Sequence, residues 1–263
     1  MLEQSSAGAT RAIRLQIEVK ASAEEVWKAL TDPEELKRWF PPDARVSPGA
    51  GGSIWLSWGP GIEGEARIET WDPPRRFGWV EQHGGARLAV EWEIEARGGT
   101  TTVRPVHSGF GSGDEWDGWY DGTRRGWSYF VANLRHYLEV HRGTPRAMVW
   151  VRRPQTRSRA QAWERLFGPD GFALASAPAA GEACTLRWND AMLPARVLAV
   201  ESPHTFAAVL PGLAQALLFV ELESSPGSWH CGVWLSTYGL PEDRVGALQS
   251  GLDRLADHAL AEA

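Results

Sequence analysis

The chain has 263 residues, 43% apolar and 23% charged, a balance that suits buried cores and disfavours extended disorder, collagen-like repeats and disulfide-dense scaffolds. At about 100–200 residues per domain, that length fits two domains. Lys and Arg total 27 against 33 Asp and Glu, a net charge of −6. That is the wrong sign for a protein whose main partner is a polyphosphate, so nucleic acid and anionic membrane surfaces are set aside.

The first ten residues read as a loose tail, without the basic start and apolar core of a signal peptide. Ile13, Leu15, Ile17 and Val19 then alternate with polar neighbours, the period of a half-buried strand. Ser22 and Glu25 have capping-box spacing, and Val26, Trp27 and Leu30 give the following short helix one apolar face. Pro33 opens a second short helix, expected to run to Phe40 and to be ended by Pro41-Pro42. From Val46 to Ser108 the pattern predicts an antiparallel sheet with strands at 53–58, 64–70, 77–82, 86–96 and 101–108. Asp72-Pro73-Pro74 and Gly84-Gly85 supply turns. The glycines of Gly109-Phe110-Gly111-Ser112-Gly113 read as turns. Beyond them Trp116, Trp119, Tyr120, Thr123, Trp127, Phe130, Val131, Leu134 and Tyr137 recur every three or four residues, predicting a long amphipathic helix that ends near Gly143.

From Ala147 the same order of elements returns in fewer residues. Trp27 matches Trp163, Trp58 matches Trp188, Phe110 matches Tyr238, and Leu134 matches Leu255, at separations that shrink along the chain as loop deletions would produce. The turn Asp72–Phe77 matches Glu201–Phe206, and the largest shortening falls opposite Asp114–Tyr120. A tandem duplication is therefore expected, with domains at 11–142 and 146–262 joined by the short turn Arg142-Gly143-Thr144-Pro145. So short a joint implies close intrachain packing of the two copies, and a monomer is expected because tandem copies can satisfy within one chain a surface that single-domain relatives bury by dimerising.

Ala21–Phe40, Asp72–Phe77, His107-Ser108-Gly109-Phe110 and Gly126-Trp127 together resemble the START-like (SRPBCC) superfamily, and within it the homologues of the heat-shock protein ATPase activator. The likeness is strong over residues 11–142 and weak over 147–262, where Leu235-Ser236-Thr237-Tyr238 replaces His107–Phe110. It implies an α+β chain of two tandem helix-grip domains, each a curved antiparallel sheet wrapped around a long C-terminal helix. It also implies a cavity between sheet and helix for an apolar or amphipathic small molecule. The superfamily includes lipid carriers, hormone receptors and polyketide cyclases, so the likeness names no single reaction.

On that arrangement Trp79, Trp92, Ile94, Val103 and His107 face the cavity from the sheet, and Trp116, Trp119, Tyr120, Trp127 and Phe130 from the helix. Phe110 completes the ligand-binding set. Ten of the 15 Trp precede residue 143, and so many rings around a concave sheet either close a core or form a flat-walled slot. Gly118, Gly122 and Gly126 lie four apart on one helix face, as a mobile wall or as a site of close backbone packing. Asp114, Glu115, Asp117 and Asp121 form either a solvated first turn or, with the neighbouring rings, a place for a cation.

No motif for covalent catalysis, cofactor or metal binding is found, and Cys184 and Cys231 form no Cys-x-x-Cys pair. The expected protein is a cytoplasmic, non-catalytic binder of a small apolar or aromatic molecule in its first domain. Its rivals are an accessory that contacts a heat-shock chaperone, and a cyclase or hydrolase using His107.

Overall fold

The computed structural model describes residues 10–59, 61–174, 178–225 and 228–260. Of the expected N-terminal tail, residues 1–9 lie outside them, and Thr10 already belongs to a strand. The chain divides into two compact units, Met1–Gly143 and Thr144–Ala263.

In the first unit, β1 (Thr10–Arg14) and β2 (Ile17–Val19) precede α1 (Ala23–Thr31) and α2 (Pro33–Leu36). Six strands follow: β3 (Asp43–Ser47), β4 (Ser53–Ser57), β5 (Glu63–Asp72), β6 (Arg76–His83), β7 (Ala86–Arg97) and β8 (Thr100–Gly111). A 3-10 turn at Asp114–Trp116 leads into α3 (Asp117–His136), which finishes in a π-helical turn at Tyr137–His141. The eight strands form one antiparallel sheet in the order β1-β8-β7-β6-β5-β4-β3, with β2 also on β8. Along β7, Leu88, Val90, Trp92 and Ile94 are buried between more exposed neighbours, so one face of the sheet makes the core.

Several local expectations are corrected here. The first strand is broken, because β8 carries Pro105 opposite the gap. Leu15 N–H donates to the Pro105 carbonyl at 3.1 Å, but proline has no N–H to return the bond. The second helix stops at Leu36, four residues before Phe40; Asp32 caps it through Glu34 N–H (2.8 Å) and Glu35 N–H (3.2 Å). Strand β3 was not anticipated, since Asp43–Ser47 alternates only weakly. Gly109 and Gly111 are strand residues rather than turns. Gly109 is the extra residue of a bulge, since Arg11 pairs with Phe110 and Ala12 with Ser108. Its φ of +100° and the Arg87 carbonyl, 2.1 Å from where a Cβ would stand, leave room for glycine alone.

The second unit comprises β9 (Arg146–Gln155), α4 (Arg159–Phe167), β10 (Ala183–Trp188), β11 (Ala191–Glu201), β12 (Thr205–Leu210), β13 (Ala216–Ser225), β14 (Ser228–Tyr238) and α5 (Glu242–Ala259). Its six-stranded sheet runs β10-β11-β12-β13-β14-β9. Among the described residues nothing corresponds to β3 or α2.

The two units are tandem copies down to single hydrogen bonds. Both first helices open with a capping box, Ser22 with Glu25 and Ser158 with Gln161. Ile94 N–H donates to Arg75 O, and Leu222 N–H to His204 O, each at 2.8 Å. Glu69 in β5 and Leu198 in β11 are the extra residues of equivalent bulges. Turn residues and bulges fix strand register, so their recurrence shows that the same pairing geometry was kept while the loops shortened.

Around α2 a polar cluster ties the helices together. Glu35, 8% exposed, accepts from the Tyr137 hydroxyl and from Arg38 Nη1 at 2.7 Å. Tyr137 in turn accepts from Gly143 N–H at 3.0 Å. Burial raises the Tyr137 pKa, and the hydrogen bond to Glu35 adds to that. The phenol therefore stays protonated and holds the end of the long helix against α2.

A candidate binding cavity in the first unit

Between the sheet and α3 lies a cavity of about 380 Å³. Its sheet side is Ile54 and Leu56 of β4, Ala66 of β5, Trp79 and Glu81 of β6, Val90 of β7 and His107 of β8. Its helix side is Thr123, Gly126, Trp127 and Phe130, with Phe40, Trp58 and Ile62 closing the remaining wall. Trp79 pairs with Val90, and Val90 with His107, so these three form one row across three strands. Glu81 follows Trp79 by two positions on the same face.

The rings hold one another in place. Phe40 stacks on Trp127 with centroids 5.6 Å apart and meets Phe130 (4.7 Å) and Trp58 (5.3 Å) edge to face. Trp127 also meets Trp92 edge to face at 5.5 Å. Offset and edge-on contacts of this kind add to the stabilisation from burial alone.

His107 is 7% exposed, and its Nδ1 accepts a hydrogen bond from Trp127 Nε1 at 2.9 Å. Indole N–H only donates, so the neutral imidazole must carry its proton on Nε2. That nitrogen is buried without a partner. Burial lowers the His107 pKa to about 4, keeping the ring neutral near pH 7. The lone pair a general base would use is occupied by Trp127, so this geometry suits donation of a hydrogen bond better than proton abstraction. Burial raises the pKa of Glu81, and the charge of His83 opposes that shift.

The cavity brings together Trp79, His107, Trp127 and Phe130 of the sequence-derived set. Trp92, 1% exposed, lies behind the wall in the core with its N–H likewise unpartnered, and Ile94 and Val103 are also core. Phe110, Trp116, Trp119 and Tyr120 line no part of the cavity and form a second cluster, which touches the cavity wall where the Phe110 ring lies 4.6 Å from that of His107. Phe110 meets Trp119 at 5.5 Å and Tyr120 at 5.4 Å, Trp116 stacks on Trp119 at 5.2 Å, and Trp119 lies 4.1 Å from the His83 ring. The cation that this cluster and its acids suggested is the protein's own Arg11. Its guanidinium sits 4.7 Å from the Tyr120 centroid and binds Asp117 Oδ1 at 2.6 Å. Asp114, Glu115 and Asp121 are exposed.

Close packing does not account for the helix glycines, because a Cβ on Gly118 or Gly122 would meet nothing within 4 Å. Gly126 lines the cavity, its Cβ position 3.9 Å from Phe130. The residues missed from sequence divide into two kinds. Ile54, Leu56 and Glu81 alternate in phase with their strands and were legible by period; a carboxylate two positions from Trp79 was the signal. Phe40, Trp58 and Ile62 come from irregular segments whose approach to α3 has no local pattern.

In the second unit the matched row is Ala208, Leu218 and Leu235, paired in the same register, with Leu210 in place of Glu81. All four are buried in one apolar core with Phe172, Phe206 and Trp188. A concavity of about 350 Å³ by Trp188, Arg244 and Leu248 reaches none of that row. Burial raises the Cys184 thiol pKa, and raises that of Cys231 to about 12. Among the described residues no helix is long and apolar enough to cross a membrane, and no three His, Cys, Asp or Glu are grouped to hold a metal.

The Aha1 dimer from Colwellia psychrerythraea is similar at 23% identity and a TM-score of 0.44, covering 51% of this chain and 99% of its own. CalU16 from Micromonospora echinospora is similar at 23% identity and a TM-score of 0.42, covering 52% and 81%. The di-domain ARO/CYC BexL from the BE-7585A biosynthetic pathway is similar at 17% identity and a TM-score of 0.43, covering 96% and 100%. No curated protein matches the chain. Residues 20–139, most of the first unit, match the family model described as Activator of Hsp90 ATPase homolog 1-like protein. That match falls on the first of two helix-grip units, so it is residues 20–139 that are similar to the Activator of Hsp90 ATPase homolog 1-like family.

Proposed function

We propose that the first unit binds a small apolar or aromatic molecule in its cavity without transforming it, and that the second is a shortened copy serving mainly as structure. The observation that carries this reading is the contrast at matched positions. A row of Trp, Val and His borders about 380 Å³ of space in one unit, while Ala, Leu and Leu are sealed into a core in the other. That volume lies within the range of small-molecule sites, and its lining is mostly apolar with few polar groups, as such sites are. A ligand burying roughly 300 Å² of apolar surface would gain about 7 kcal/mol before the cost of lost freedom, so micromolar binding needs some polar help. The free cysteines Cys184 and Cys231 suit a reducing cytoplasm, which we propose as the location.

Titration with three-ring aromatics and with fatty acids, followed by tryptophan fluorescence, tests the reading. Saturable quenching that Trp79→Ala or Trp127→Ala weakens at least tenfold, and Leu248→Ala leaves unchanged, is the expected result. A folded protein that responds to no compound would overturn it.

The family match carries a second reading, an accessory that raises the ATPase rate of a heat-shock chaperone. An unchanged Hsp90 ATPase rate with excess chain would dispose of that reading. Turnover of a bound compound, lost in His107→Ala, would instead favour the cyclase or hydrolase that the Trp127 hydrogen bond argues against.

A further inference from the structure

The cavity joins aromatic rings to carboxylates and offers no positive charge. Three indoles, Trp58, Trp79 and Trp127, line it together with Glu81 and Glu63, and among the described residues no Lys or Arg does. Glu81 faces inward two positions after Trp79 and is half-buried. Among the described residues its carboxylate makes no hydrogen bond or ion pair. Burial raises its pKa against the charge of His83, whose own ring is turned onto Trp119 with centroids 4.1 Å apart. The other face of the same sheet treats its acids differently: Glu91 and Glu95 are paired with Arg76 at 3.8 Å and Arg104 at 3.0 Å. Withdrawing a charge from water without a partner is costly, so an unpaired carboxylate on a cavity wall marks a place where a partner arrives from outside.

The rings narrow what that partner is. An indole face attracts a cation within about 6 Å of its centre, and more strongly where water is excluded. Strand rise places the Glu81 and Trp79 Cα atoms about 7 Å apart on one face, close enough for a single ammonium group to meet both side chains. The unit already holds a cation in this way, since the Arg11 guanidinium lies 4.7 Å from the Tyr120 centroid and 2.6 Å from Asp117 Oδ1. A ligand carboxylate would instead meet Glu81 and Glu63 with no positive lining group to offset them.

We infer that the cavity selects a cationic amphiphile, an apolar or aromatic body carrying a protonated amine, with the ammonium between the Glu81 carboxylate and the Trp79 indole and the body among the remaining rings. This rests on the binding reading above and deepens it from an apolar ligand to a positively charged one. In the second unit Leu210 and Ala208 stand at the positions of Glu81 and Trp79, so both halves of the feature are lost together.

Three probes of one outline separate the possibilities: 2-(1-naphthyl)ethylamine, 2-(1-naphthyl)ethanol and 1-naphthylacetate, titrated calorimetrically into the full chain near pH 7. They present a cation, a neutral group and an anion on the same naphthalene. The amine is expected to bind about tenfold more tightly than the alcohol, and the carboxylate more weakly than either. Glu81→Gln should bring the amine down to the level of the alcohol and leave the alcohol's own affinity unchanged. An alcohol that binds the native protein as tightly as the amine, a comparison that needs no variant, would overturn the inference and leave apolar binding standing. So would an amine preference that survives in folded Glu81→Gln. Absence of binding by all three would overturn both readings.

Discussion

The two units use the same backbone to opposite ends. In the first, Trp79, Val90 and His107 stand in one row opposite Gly126 and Trp127, and the space between sheet and helix stays open. In the second, Ala208, Leu218 and Leu235 occupy that row, and a closed apolar core results. Large rings make the more open site because they brace one another edge to face, as Phe40, Trp58, Trp127 and Phe130 do, and cannot collapse inward as Leu side chains can. A cavity is therefore kept open by rigid, mutually supporting walls.

Exchanging residues between the copies puts the contrast at risk. The largest effect is expected from Leu210→Glu, which gives the filled unit the carboxylate of the open one. An unpaired charge in that core should cost upwards of about 4 kcal/mol in chemical denaturation. A cost below about 1 kcal/mol would mean that the second unit holds hidden space.

Next in size is the acid response of His107. Its folded pKa is about 4 against an ordinary 6.5, so between those values the unfolded chain binds a proton that the folded one does not. Stability from this group is full above about pH 6.5 and falls as the pH drops toward 4, by about 3 kcal/mol in all. His107→Leu, which installs the second unit's residue, should flatten the stability–pH curve across that window. An unchanged slope would place the histidine in a wetter site.

The smallest effect, and the sharpest for function, is that of Gly126→Ala. Its matched position holds Ala247, and the added Cβ meets Phe130 at an ordinary 3.9 Å. Helix propensity should raise stability by up to about 1 kcal/mol while the methyl takes space from the cavity and weakens binding. If binding were unaffected, the ligand would lie away from α3.

The repeat, the Ser22–Glu25 capping box, the succession of strands along the chain and the long final helices follow from local spacing, and each was legible because a helix or a strand imprints its own period on the chain; the Ser158–Gln161 box was not read from the sequence. Trp79 and Trp127 could be placed on the cavity for the same reason. Trp116, Trp119 and Tyr120 continue the helical period of Trp127, yet they belong to a different cluster. There they pack on Phe110 and His83, and Arg11, more than a hundred residues away in sequence, pairs with Asp117 and Tyr120. The break between β1 and β2 likewise depends on Pro105, a partner found only across the sheet.

What the sequence by itself determined is therefore the architecture: two copies of a helix-grip unit, one rich in aromatic residues and one shortened. Only the tertiary structure decided which rings border space and which border one another. It also decided that Trp127 consumes one nitrogen of His107 and leaves the other bare. Period assigns a side chain to a face, but what it meets there is set by cross-strand register and by how a helix seats on a sheet, and both depend on residues far apart in the chain.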